Sequence, residues 1–391
     1  MNKKIVFLIS KYDNNPFDTM TRYFIKENIL EISTLKLNDS DDKFLSIYYN
    51  KEKKNILINK KYKFLKLISY VLYTLLSLSK IRNIVKLKST KYMIVDNLNN
   101  FLGSFIFKII FRYSYQIIFF DGDALPETSD RMYIQKGGLL SKIKNKIILF
   151  ILYKIKFIAL KYSKYTIHNS KKVIKWNQKK IIEKFNYIYF KPAYDYAKCL
   201  DFSKRKFNYN FLYIGKLHKT MGFDTVINIS IKLKSLNKKF LIHVLGGEND
   251  QIIQYKKKIS NHNLNKNFRF YGYMSYGNSY LAIIKKSCVA FAPYNSNGKS
   301  IALNGKISDY LNYCLPVVTT NYILISSEIK KNNLGLIYQN EDEIIDFLIK
   351  IESKFRYIQL VKNIKSYVFL NDYIKTYNNL FSKIDKNLIS F

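Results

Sequence analysis

Between residues 210 and 340 the sequence repeats one pattern: a short run of β-branched and aromatic residues, a break, then helical or loop sequence before the next run. The runs are NFLYIGKL (210–217), KFLIHVLGG (239–247), NFRFYGYM (267–274), SCVAFAPY (287–294), LPVVTTN (315–321) and LGLIYQN (334–340). Strands of this kind alternating with helices make βα units, and βα units make a parallel sheet. The first half carries a fainter version in KYMIVDN (91–97), YQIIFFDGD (115–123), YTIHNS (165–170) and NYIYFKP (186–192). KKIVFLIS (3–10) reads as a first strand rather than a signal peptide, because its apolar run is six residues long and Lys11-Tyr12-Asp13 follows. Periodicity lapses over 193–209, so an α/β chain of two doubly wound domains is expected, with boundaries at 1–200 and 201–366 and a terminal helix over 367–391. Ligands of such sheets sit beyond the carboxyl ends of the strands, and chemistry is to be sought there.

Charge supplies the next constraint. The chain has 66 Lys and Arg against 28 Asp and Glu, a formal net charge of +38, so its surface attracts polyanions. An AT-rich genome would raise Lys, Asn, Ile and Tyr together, yet Glu codons are equally AT-rich and acidic residues remain scarce. Hydrophobic residues make up 48% of the chain, which excludes a disordered basic tail. Cys199, Cys288 and Cys314 and the four histidines show neither disulfide nor zinc spacing, which points to a reducing compartment. No stretch has the 18 or so apolar residues of a spanning helix. Two segments, 64–79 with the basic residues after it and 141–165, read instead as helices with an apolar stripe and a cationic, aromatic margin, suited to an anionic leaflet. The alternative is a pair of helices that cover a sheet, with solvated lysines. A basic nucleic-acid-binding protein is the other reading of the charge and the 16% aromatics, but no nucleic-acid module is recognisable.

The strongest constellation follows SCVAFAPY. A loop, YNSNGKSIALNG, leads into a helix beginning near Asn304 and Gly305, with Lys306 in its first turn. Free backbone N–H groups, the positive end of a helix dipole and an ammonium group together suit a diphosphate. Asp309, one turn on, can accept hydrogen bonds from a ribose diol; the alternative is a capped helix with a solvated Lys–Asp pair. Two more strands end in glycine turns: Gly215 with Lys216, Lys219 and Gly222 after the first, Gly246-Gly247 after the second. Three such turns at successive strand ends make a site.

The order IGKLHKTMGFDT, HVLGGEND, FYGYMSYGNSYLAIIKKSCVAFAPYN and GKISDYLNYCLPVVTT resembles the donor domain of GT-B glycosyltransferases, especially the bacterial group 1 (family 4-like) type. The resemblance covers about 210–340 clearly and the first 200 residues more weakly. It implies two Rossmann-like domains facing a cleft, the first binding acceptor and facing the membrane, the second binding the nucleotide sugar, and a terminal helix crossing back to the first. By resemblance Lys306 contacts the diphosphate and Asp309, where the family usually has Glu, the ribose. Gly215 and Lys216 stand in the family's Gly-Arg turn; the lysine keeps the charge without the bidentate fork. Met221 stands where a second phosphate-binding lysine is common, and Lys219 is its substitute.

The family's first paired glutamate falls at Ile301, which leaves retention and inversion both open. The Lys-x-x-polar-Tyr arrangement is also similar to that of the xanthan glucuronosyltransferase type, which inverts with an acidic base from the N-terminal domain. DGDALPETSD (121–130) resembles that domain's H-D-x-x-P-E stretch, with Gly122 in the histidine's place. Asp123 is the first candidate base and Asp121 the second; the alternative is a turn in which Asp satisfies backbone groups. His168 is a lesser candidate. The resemblance implies no cofactor and no metal, the nucleotide sugar being a substrate, although Asp121-Gly122-Asp123 matches an Asp-x-Asp pattern. It implies transfer from a UDP- or GDP-linked donor to a glycan or lipid-linked acceptor in bacterial surface polysaccharide synthesis, peripheral on the inner face of the membrane and without nucleic acid. A GT-B scaffold without activity is the alternative suggested by Ile301.

Overall fold

A computed structural model describes residues 90–121, 139–274, 276–295 and 305–385, strands within 4–58, and single positions at 23, 71, 74–75, 78–79 and 82. The chain divides into two compact units, Met1–Lys191 with Ile374–Phe391, and Pro192–Tyr373.

The first unit contains strands β1 (Lys4–Ile9), β2 (Leu30–Lys36), β3 (Lys43–Tyr49), β4 (Glu52–Ile58), β5 (Thr90–Val95), β6 (Gln116–Phe120), β7 (Tyr165–His168) and β8 (Tyr187–Tyr189). They form one sheet in the order β4-β3-β2-β1-β5-β6-β7-β8. From β2 to β8 every pairing is parallel, while β3 pairs antiparallel with both β2 and β4. This edge departs from the wholly parallel sheet expected. Tyr49 pairs with Glu52, and a connection that short can join antiparallel strands but not parallel ones.

Helix α1 (Leu98–Ile110) follows β5, α2 (Leu139–Tyr162) precedes β7, and α3 (Lys171–Lys180) precedes β8. Asn97 starts α1 by accepting a hydrogen bond from Asn100 N at 2.8 Å, and Ser170 starts α3 by accepting from Val173 N at 3.3 Å. Met93, Val95, Phe101, Phe107, Ile117 and Phe119 form the core between sheet and helices.

The two segments expected to face a membrane differ. In the first, the helical residues Val71, Thr74 and Leu78 are buried. Their neighbour Gly103 of α1 leaves room for this packing: a Cβ there would lie 2.6 Å from the Cβ of Thr74. Helix α2 buries Leu149, Ile155, Ala159 and Leu160 on one face. Its other face exposes Ile143, Ile147, Phe150 and Phe157, with Lys154 over the Phe150 ring and Lys161 over the Phe157 ring.

In the second unit, helix α4 (Tyr196–Phe202) is followed by β9 (Asn210–Ile214), α5 (Phe223–Ser235), β10 (Leu241–Leu245), α6 (Asn249–Ser260), β11 (Phe268–Gly272), α7 (Asn278–Lys286) and β12 (Val289–Ala292). Then come α8 (Gly305–Asn312), β13 (Val317–Thr319), α9 (Ser326–Lys331), β14 (Gly335–Ile337), α10 (Glu341–Lys350) and α11 (Lys354–Leu370). All six strands are parallel, in the order β11-β10-β9-β12-β13-β14. The order reverses between β9 and β12, the point at which sheets of this kind take ligands outside the strand ends. Phe211, Leu212, Val289, Phe291, Val317 and Val318 are buried, as strands covered by helices on both faces require.

This unit begins at Pro192. Asp195 caps α4 by accepting from Lys198 N at 3.0 Å, and its own N–H donates to Asn312 Oδ1 at 2.8 Å, so 193–202 belongs to its core. Over 367–384 the apolar pattern forms two helices, α11 ending at Leu370 and α12 (Tyr373–Ile384) beginning after Asn371-Asp372. Tyr194 fixes the break: its N–H donates to Asn371 O at 3.0 Å and its carbonyl accepts from Tyr373 N at 2.8 Å. From Ile374 the chain belongs to the first unit, where Tyr23 hydrogen-bonds Asn378 and Lys91 pairs with Asp385.

Candidate active site

The reversal point of the second sheet is held by one hydroxyl. Tyr310 of α8, fully buried, accepts from Ile214 N at 2.8 Å and donates to Phe291 O at 3.1 Å. One side chain thereby fastens the helix to the ends of β9 and β12, the two strands that diverge there. The turns around it are packed as closely. Gly246 after β10 has φ +110°, and a Cβ on it would lie 2.5 Å from Gly215 O, so a side chain there would collide with the β9 turn. Gly222, at φ +71° before α5, would place a Cβ 1.5 Å from Pro293 O. Asn295 adds a tie between the loops, donating from Nδ2 to Lys219 O at 2.8 Å.

Lys306 lies beside this reversal point. Part of the residue is exposed, but Nζ is buried and has no hydrogen-bond partner among the described residues. It stands 4.4 Å from the centroid of the Tyr294 ring and 4.9 Å from that of Tyr213, and 3.6 Å from where a Cβ on Gly215 would be. Burial alone lowers its pKa from the ordinary 10.5 to about 7. Lys306 thus places a buried ammonium in the first turn of an eight-residue helix, at the end whose N–H groups lack intrahelical partners and whose dipole is positive.

Of the other residues expected at this site, Gly215 adjoins Lys306 and Gly246 packs on Gly215, while Lys216 and Lys219 are exposed on the β9 turn. Tyr213 holds that turn by donating to Lys216 O at 2.9 Å. Gly247, at φ +86°, packs over Leu217. Asp309 is partly exposed on α8, where its charge raises the pKa values of Tyr280 and Tyr313 beyond what burial does. Asn304 and Ile301 lie outside the described residues.

In the first unit, Asp121 ends β6 and is buried. It pairs with Lys156 of α2, accepts from Asn177 Nδ2 of α3 at 2.9 Å, and lies 3.3 Å from His168 Nδ1 at the end of β7. Burial would raise its pKa, but the Lys156 and His168 charges and the hydrogen bonds from Lys156 and Asn177 outweigh it and hold the carboxyl below the ordinary value. His168, buried beside Phe185, is pushed down to about 4, chiefly by burial. Asp123 lies outside the described residues. Among the described residues no group of three or more His, Cys, Asp or Glu could hold a metal ion, and no helix is long and apolar enough to cross a membrane.

Sequence reasoning singled out Lys306 at the Asn-Gly-Lys helix mouth, and the structure buries its ammonium there. That reasoning missed Tyr213 and Tyr294, which line the ammonium, and Lys156, which compensates Asp121.

A family model described as "Glycosyl transferases group 1" matches residues 201–366. No curated protein matches the chain significantly. Among solved structures, sucrose-phosphate synthase (tll1590) from Thermosynechococcus elongatus is similar with a TM-score of 0.70 at 10% identity, over 98% of this chain and 99% of that one. WaaG, a glycosyltransferase involved in lipopolysaccharide biosynthesis, is similar with a TM-score of 0.64 at 12% identity, over 97% of this chain and 99% of its own. Anabaena Alr3699/HepE in complex with UDP-glucose gives 0.64 at 10% identity, over 98% and 99%. At these identities the likeness is one of fold.

Proposed function

We propose, for a chain that has the GT-B fold and a group 1 glycosyltransferase domain over residues 201–366, transfer of a sugar from a UDP- or GDP-linked donor to a glycan or lipid-linked acceptor. The pathway is bacterial surface polysaccharide synthesis, whether capsule, lipopolysaccharide or exopolysaccharide, and the place is the cytoplasmic face of the membrane. The observation that carries this reading is the buried ammonium of Lys306, without an anion, at the mouth of α8. A donor diphosphate would accept hydrogen bonds from Lys306 and from the first N–H groups of α8, with Asp309 accepting from the ribose hydroxyls. As the bond from the sugar's anomeric carbon to the diphosphate breaks, the acceptor oxygen bonds that carbon and its proton passes to a carboxylate. Lysine and the helix dipole stabilise the departing nucleoside diphosphate without a metal ion.

Asp123 is the preferred base. Asp121, paired with Lys156 and held below the ordinary carboxyl pKa, is a weaker proton acceptor and a better anchor for the strand end. The similar Anabaena structure holds UDP-glucose, which places uridine donors first in a screen. A thermal-shift screen of UDP- and GDP-sugars against the full chain is expected to give a rise with at least one of them. A flat response to every nucleotide sugar would remove the reading.

Membrane attachment rests on the outward face of α2, where Phe150 is 63% exposed and Ile147 55%. Apolar side chains bordered by Lys154 and Lys161 match the acyl and anionic headgroup layers of a leaflet. The full chain is expected to sediment with anionic vesicles at low salt, less so at 0.5 M salt where charge is screened within about 4–5 Å. Phe150→Asp should reduce sedimentation; equal binding to neutral vesicles would count against the cationic contribution.

A further inference from the structure

The surroundings of Lys306 carry more than a diphosphate contact. A buried ammonium normally has a carboxylate beside it; this one has two ring faces. Tyr213 approaches from β9 and Tyr294 from the residues after β12, both almost wholly buried. On its own helix, the Tyr310 hydroxyl is committed to Ile214 N and Phe291 O, and burial lowers the lysine's pKa with no opposing rise from a neighbouring carboxylate. Burial holds the Tyr213 phenol protonated by raising its pKa, so that ring is neutral and offers its π face instead of a phenolate.

We propose that Tyr213 and Tyr294 are positioning residues that hold the Lys306 ammonium, unpaired, against the Gly215 turn until a donor diphosphate completes its charge compensation. This rests on the donor-site reading above. The rings partly replace lost hydration, which keeps the lysine protonated more often than an aliphatic wall would, and their bulk stops the side chain from folding back. The ammonium lies beside the Gly215 turn, 3.6 Å from where a Cβ would be, at the end of the strand.

The consequence is a proton-linked donor site. The diphosphate needs the charged lysine, so affinity is flat below pH about 7 and falls as pH rises through the donor-free pKa. Removing a ring lowers that pKa further and moves the fall to lower pH.

The experiment is calorimetric titration of UDP into the full chain from pH 6 to 9, comparing wild type with Tyr294→Leu, the more volume-conserving Tyr294→Met, Tyr294→Phe and Lys306→Ala. Whichever of the Leu and Met variants keeps the wild-type circular dichroism spectrum is expected to bind UDP about tenfold more weakly at pH 7.5, with its affinity falling at lower pH. Tyr294→Phe, which keeps the ring, should stay within about twofold of wild type. If the ring-deleted variants bind like wild type with the same pH profile while Lys306→Ala loses affinity, the positioning role is overturned and the donor site stands. If Lys306→Ala also binds like wild type, the donor-site reading itself fails. Loss of structure in both ring-deleted variants, with wild-type affinity falling across pH 7 to 8, leaves Tyr294→Phe to decide. A tenfold loss there would assign the effect to the hydroxyl and overturn the proposal.

Discussion

Lys156→Met is expected to destabilise the chain by about 3–5 kcal/mol, because it leaves the buried Asp121 carboxylate without its cation. Methionine keeps most of the packing of the lysine stem, which isolates the loss of charge from a loss of volume. Urea unfolding of the full chain checks it. A loss under about 1 kcal/mol, the range of a solvated pair, would mean that Asn177 and His168 suffice. The double variant Lys156→Met with Asp121→Leu should regain much of the loss, since an apolar pair avoids the desolvation that the ion pair must offset. The same cluster sets an acid limit. Asp121 has a folded pKa below its ordinary value, so its contribution is fully present above pH about 4 and is lost as pH falls through the folded value. His168 is depressed from 6.5 to about 4, so the unfolded chain binds the extra proton between those values and stability falls as pH is lowered through that window. His243, depressed likewise to about 4, adds to the same slope.

Lys306→Met should do two opposite things: raise the unfolding midpoint of the ligand-free chain and weaken UDP binding by about 10–100-fold. The first follows from deleting an ammonium that the fold buries without an anion. Its folded pKa lies below the unfolded one, so the destabilisation is fully present below pH about 7 and disappears as pH rises towards 10.5. The gain in midpoint should therefore be larger at pH 6 than at pH 9. The second follows from removing a charge-assisted contact to phosphate. A variant that is stabilised and still binds UDP normally would make Lys306 a structural liability without a role in donor binding. Sites that trade stability for ligand affinity are the usual reason such a group persists.

The six strands of the second unit were legible because each is a short apolar run that ends where its turn begins, and helices bury both faces of the central ones. Lys306 was legible because glycine and lysine at a helix mouth after a strand is an uncommon local arrangement. Its ring neighbours were not, because the chain has 34 tyrosines and those in strand runs read as core. Lys156 was hidden for a similar reason. It is one of 66 basic residues, in a helix where lysines recur, and its selection by Asp121 depends on a contact 35 positions away. The strands at 30–58 escaped notice because their lysines and polar residues interrupt the apolar runs, and pairing rather than composition makes them strands.

Tyr310 and Lys306 stand one turn apart on an eight-residue helix, the first closing the seam between β9 and β12, the second set between the Tyr213 and Tyr294 rings. Any drift in sequence that re-aims the lysine by rotating or shifting the helix also pulls the hydroxyl from two backbone groups at once. The specificity of this site can therefore diversify through the loops on its rim far more freely than through the helix at its floor, and relatives with new donors should differ first in those loops.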